Sequence, residues 1–152
     1  MKKVLVLLVA VITLGMAANA QNNLGVRFGG GQGYGAELSW QKGLGSNRLE
    51  LDLGWGSHDN WTDFTLTGIY QWTGTISGNF GWYAGVGAQL AYWNWANNSS
   101  DFALAVAAQA GVEYDFKAVP IQLTLDIRPR FYFIPETNFH WGDIAFGVRY
   151  CF

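Results

Sequence analysis

Residues 48–56 read RLELDLGWG, with Leu49, Leu51, Leu53 and Trp55 on one side and Arg48, Glu50 and Asp52 on the other. A two-residue period puts alternate side chains on opposite faces of a β-strand, so this stretch predicts a strand with one apolar and one charged face. The same alternation recurs along the chain. About 23–30 it sets Leu24, Val26 and Phe28 against Gly25, Arg27 and Gly29, and about 34–42 it sets Ala36, Leu38 and Trp40 against Gly35, Glu37 and Ser39. About 63–73 the apolar side carries Phe64, Leu66, Tyr70 and Trp72 and the other is rich in threonine; about 81–93, Trp82, Ala84, Val86, Leu90 and Tyr92 oppose Gly85, Gly87 and Gln89. The stretch about 102–116 opposes Phe102, Leu104, Val106, Val112, Tyr114 and Phe116 to Gln109, Glu113 and Asp115. About 121–133, Ile121, Leu123, Leu125, Ile127 and Phe131 alternate with Gln122, Thr124, Asp126, Arg128 and Arg130. Pro129 weakens that strand locally, since it has no N–H for the ladder. The last stretch, about 141–152, ends on FGVRYCF.

Short turn-rich pieces such as QKGLGSN, GSHDN, TGTISGN and IPETN separate the eight stretches, and helical periodicity is missing from residue 21 onward. Eight strands joined by hairpins predict an antiparallel up-and-down meander in one domain. Which face looks outward decides what kind of protein this is. The polar faces collect Arg27, Arg48, Arg128, Arg130 and Arg149 with Glu37, Glu50, Asp52, Glu113, Asp126 and Asp143, while the apolar faces carry essentially no charge. Turned inward, the Trp, Phe, Tyr and Leu rows would overfill an eight-stranded barrel, whose interior only just holds side chains. Turned outward they meet hydrocarbon, and cations and anions neutralise one another inside. The fold predicted is therefore all-β, an eight-stranded antiparallel up-and-down transmembrane β-barrel.

Aromatic positions support that orientation. If the barrel begins on the periplasmic side, Phe28, Tyr34, Trp55, Phe64, Tyr92, Phe102, Phe131 and Phe133 fall near the upper rim. Trp40, Tyr70, Trp72, Trp82, Tyr114, Phe116, Tyr150 and Phe152 fall near the lower one, and mainly aliphatic residues lie between. Two aromatic girdles around an aliphatic band suit the two water interfaces of a bilayer. A soluble core has no reason to sort aromatics by height.

The amino terminus adds a destination. Lys2 and Lys3 precede an apolar run from Val4 to about Met16, followed by Ala18-Asn19-Ala20. This reads as a secretory signal peptide, residues 1–20, cleaved after Ala20 to leave a barrel domain of residues 21–152. The whole chain has a formal charge of −2, and losing the two lysines makes it more acidic, which argues against a nucleic-acid partner. A single cysteine, Cys151, excludes an internal disulfide. Metal-ligand spacing is lacking, and neither a metal nor a cofactor is expected.

In its architecture the chain resembles the small eight-stranded outer-membrane barrels, such as the transmembrane domain of outer-membrane protein A. The most specific element is the ending, where Phe146, Val148, Tyr150 and Phe152 match the aromatic-ended signal that the outer-membrane assembly machinery reads in such proteins. The resemblance implies a monomer in the bacterial outer membrane, surrounded by membrane lipid and lipopolysaccharide, with its last strand paired to its first. A periplasmic domain and long outward loops, found in larger members, are not evident.

Three functions are compatible with these residues. The first is a structural or surface-interaction role, the charged lumen being a salt-bridged plug built from the ionisable residues named above. The second is lipid modification: Ser57, His58 and Asp59 above the third strand and His140 above the eighth offer the hydroxyl, imidazole and carboxylate of nucleophilic hydrolysis. The His-x-Ser-Asn pattern of the lipid A deacylase does not occur, however, and neighbours on a strand point apart. The third is a narrow ion path through the charged lumen.

Overall fold

The computed structural model describes residues 21–29, 35–97, 99–142 and 144–152, with His58 described in its backbone alone. The proposed signal segment 1–20, Tyr34 and Asp143 lie outside the described residues. Ten strand segments follow in order: β1 (Asn22–Phe28), β2 (Ala36–Leu44), β3 (Asn47–His58), β4 (Trp61–Ser77), β5 (Phe80–Trp95), β6 (Ser100–Asp115), β7 (Ile121–Ile127), β8 (Arg130–Ile134), β9 (Asn138–His140) and β10 (Ile144–Cys151). They make eight staves. β7 and β8 are two halves of one stave, both paired with β6 and interrupted at Arg128-Pro129, where the proline was expected to weaken the ladder. β9 pairs with β8 and β10 with β7, which makes the eighth stave.

Each stave pairs antiparallel with the next, and β10 pairs with β1 over Asn23↔Cys151 to Phe28↔Phe146. The sheet is thus a closed barrel, and closure leaves no unpaired sheet edge. Beyond the ladder, Asn22 N donates to Phe152 O at 3.1 Å and Phe152 N to Asn22 O at 2.9 Å, which extends the seam to the last residue.

The cross-strand register explains the outer surface. One aliphatic row runs Leu123, Val148, Val26, Leu38, Leu53, Leu66, Leu90 and Leu104, each opposite the next on the neighbouring stave. Starting on the seventh stave at Leu123, the row comes back round to the same stave at Ile134, which pairs with Leu104. That climb is the stagger that tilted strands need to close a barrel. Nearer the end with the long hairpins, Phe28, Ala36, Trp55, Phe64, Tyr92 and Phe102 form a second row opposite one another. The described rim aromatics face outward and are exposed, Trp40 alone among them being half-buried. Inside lies the opposite chemistry: Arg27 and Glu50 have no exposed surface, and Asp52, Arg149, Gln41 and Gln71 are within 1% of it.

Candidate functional site

The lumen takes the inward side chains of every stave, and its charges meet across the barrel axis. Glu50, on β3, is the hub. Its Oε1 accepts from Arg128 Nη2 at 2.9 Å and from Gln109 Nε2 at 3.0 Å, and its Oε2 from Arg149 Nη2 at 3.0 Å and Gln41 Nε2 at 2.6 Å. Arg128 stands at the break between β7 and β8, on the far wall, and also reaches Asp52 and, at 3.2 Å, Glu37. Arg27 joins the two sides, donating to Glu37 at 2.8 Å and to both oxygens of Asp126. Arg149 spreads its remaining donors over Ser39 Oγ, at 3.0 and 2.9 Å, and Thr124 Oγ1, at 2.8 Å. The planar guanidinium fork, with donors fixed in direction, suits this many acceptors at once.

Toward the terminal end the network changes to a relay. Arg48 donates to Gln71, Gln71 to Gln109 at 2.6 Å and Gln109 to Glu50. Arg48 Nη2 also lies 2.6 Å from Glu113 Oε2, and its guanidinium carbon stands 4.8 Å from the centre of the Tyr83 ring. Tyr83 in turn donates to Asp126 at 2.9 Å, so one phenol links the two ends of the charge system. Gly111 makes room for it: a Cβ there would stand 2.7 Å from Tyr83 Cζ and 2.6 Å from Asp126 Cβ. Below, Asn23, Gln41, Arg48, Glu113, Gln122 and Cys151 border a polar vestibule of about 130 Å³.

The sequence-predicted lumen residues thus fall into groups. Arg27, Glu37, Glu50, Asp52, Asp126, Arg128 and Arg149 form the centre, and Arg48 with Glu113 the terminal end. Arg130 sits above the centre, donating to Gln89 at 3.4 Å, and Asp143 is outside the described residues. Tyr83, the glutamines, Ser39 and Thr124 were not anticipated as members. Their inward parity and polar tips were the available signal. The upper lumen is less charged than the sequence suggested, because Ala103, Ala105 and Tyr132 pack there with Trp93.

Of the residues considered for hydrolysis, Ser57, Asp59 and His140 have described side chains, and these are not brought together. Ser57 is exposed opposite Thr62 near the tip of β3, and Asp59 is exposed in the β3–β4 turn. His140, on β9 opposite Arg130, accepts from the Gly142 backbone N–H at 3.2 Å through Nδ1. Among the described side chains no hydrogen bond joins Ser57, Asp59 and His140.

No protein-family model matches the chain, and no curated protein matches it in sequence. Solved structures do match in shape. Neisserial surface protein A aligns with a TM-score of 0.62 at 14% identity, over 88% of this chain and 96% of that one. The amino-terminal β-barrel domain of Pseudomonas aeruginosa OprF aligns with a TM-score of 0.60 at 16% identity, over 88% and 96%. The chain has the fold of the small eight-stranded outer-membrane barrels. At such identities the likeness extends to the fold alone, and the role of this barrel has to come from its own side chains.

Proposed function

We propose that the chain is exported, loses residues 1–20, and resides in a bacterial outer membrane as a monomeric barrel whose lumen is plugged by its ion pairs. Its role on this reading is structural and interactional, with the hairpin end presented at the cell surface. The observation that carries it is Glu50: wholly buried on β3, it is gripped across the barrel by Arg128 and Arg149 from the neighbouring seventh and eighth staves, with two glutamines completing its shell. A path for hydrated ions would have to cross that grip. An outward belt of aromatics and aliphatics supports membrane residence, and the outward row Phe146, Val148, Tyr150 and Phe152 on the closing stave supports recognition by the assembly machinery during insertion.

The test is fractionation combined with electrophoresis. The chain should co-sediment with the outer membrane, lack residues 1–20 by amino-terminal sequencing, and migrate differently before and after boiling, as a barrel that stays closed in detergent does. Recovery in the periplasmic soluble fraction, unshifted by heat, would overturn the proposal. Lipid A from cells expressing the protein should keep an unchanged mass profile; a lost or gained acyl chain would restore the hydrolytic reading of Ser57, His58, Asp59 and His140.

A further inference from the structure

The hairpin end holds a cleft the lumen network does not use. Its volume is about 390 Å³, within the range of sites for small molecules. Trp93, Ala103 and Tyr132 form its inner side, and Asp101, Glu136 and Asn138 stand around it. The register brings these together: Asp101 lies opposite Trp93 on β5, Tyr132 opposite Ala105 on β6, and Asn138 opposite Tyr132 on β9. Trp93, Asp101, Ala103, Tyr132 and Asn138 belong to the inward-facing series of their strands and Glu136 to the turn between β8 and β9, so the cleft is the mouth of the barrel over β5, β6, β8 and β9.

Building on the surface role proposed above, we infer that this mouth is a binding site for small organic cations, molecules bearing a primary ammonium on an apolar stem. Three observations converge. Indole and phenol faces attract cations through their ring quadrupoles, and Trp93 and Tyr132 both border the cleft. Asp101 and Glu136 are exposed at its edge, without an ion pair to a described residue, and the described basic side chain that borders it is the imidazole of His140. Tyr132 is 8% exposed, yet its hydroxyl has no hydrogen-bond partner among the described residues, and it borders both this cleft and the smaller cavity beside Arg130. That hydroxyl oxygen is open to solvent and can accept a hydrogen bond from a ligand's ammonium.

A metal ion is a poorer occupant. Among the described residues no three of His, Cys, Asp and Glu are grouped to share one. Among the described residues Asp59, Asp63, Asp101 and Glu136 lie at this end, with Arg130 and His140 beside them, and Lys42 and Lys117 lie at the other end with Glu113 and Asp115.

The experiment uses the full chain folded in a zwitterionic detergent, titrated calorimetrically with phenethylammonium, phenethyl alcohol and phenylacetate. Phenethylammonium should bind saturably and the other two should not. In an Asp101→Asn, Glu136→Gln double variant, affinity should fall roughly tenfold, as the loss of two rim charges implies. Added salt should weaken the wild-type interaction, and Asp115→Asn, at the opposite end, should leave it unchanged. Equal binding of the alcohol, an unaffected double variant, or absence of saturation would overturn the inference. A heat-shifting barrel that binds no amine defeats this site alone; a chain that never shifts defeats the barrel proposal itself.

Discussion

Glu50 and Tyr83 show how differently two buried residues hold the same lumen. Removing the charge from Glu50 leaves Arg128 and Arg149 facing a neutral amide in a wholly buried site. Breaking one side of a buried ion pair costs about 3 to 5 kcal/mol, because the surviving charges stay desolvated. Glu50→Gln should therefore lower the unfolding free energy by about that amount in urea titrations followed by tryptophan fluorescence. Tyr83→Phe keeps the ring beside Arg48 and removes only the hydrogen bond to Asp126, so the same titration should show a loss of about 2 kcal/mol, the usual worth of a bond to a charged acceptor. Of the two, Glu50 was visible in the sequence and Tyr83 was not. Charge alternation in RLELDLGWG put Glu50 on the lumen face, but Tyr83 sits in a run of aromatics whose neighbours Trp82 and Tyr92 face lipid. Its parity, one step from Trp82, was the clue, and the habit of assigning aromatics to the girdle concealed it. That Arg27 meets Glu37, and that Arg128 and Arg149 come across to the acids of the second and third strands, was legible from the strand order; which acceptor each takes was not. Arg128 reaching Glu50 depends on strand tilt and height, which alternation alone does not encode.

Among the strands, the seam between β1 and β10 is tightest at Gly25. Gly25 lies opposite Arg149, and a Cβ there would run into the carbonyl oxygen of Val148 and stand 2.5 Å from the Arg149 Cα. Backbone cannot yield as a flexible side chain does. Gly25→Val should thus push the closing strands apart, with a cost of about 1 to 3 kcal/mol or more from overpacking, and the folded band on unboiled gels should disappear at a lower temperature. Loss of the shift at an unchanged temperature would mean that the seam tolerates the extra carbons. Strand identity was largely legible from period-two alternation, including the interruption that Pro129 brings between β7 and β8. The eighth stave was not fully read. IPETN looks like an ordinary loop, and the three residues of β9 after it are too few to display a period, so only their pairing with β8 reveals them.

Across the whole molecule, charge is arranged in three tiers: Asp59, Asp63, Asp101 and Glu136 with Arg130 and His140 toward the hairpin mouth, a mixed and paired belt through the middle, and Lys42 and Lys117 with Glu113, Asp115 and a polar vestibule at the terminal end. On the proposed reading the middle tier is what blocks passage, with Ala103, Ala105, Tyr132 and Trp93 packed above it and the vestibule below. Conductance therefore reports on the central ion pairs specifically. In planar bilayers the wild-type barrel should be silent. An Arg128→Ala, Glu50→Ala double variant removes both the arm that crosses the axis and the hub it grips; because a cation and an anion leave together, it strands less charge than either single change. The emptied centre is flanked by Asp52, Glu37 and Arg149, polar enough to hold water once the space exists. The double variant should therefore show discrete unitary steps while keeping its heat-dependent shift. Steps of the same size in the wild type would mean that the ion pairs line a pore and do not block one. A silent double variant that remains folded would place the obstruction higher, in the packing of Tyr132 against Ala103, Ala105 and Trp93.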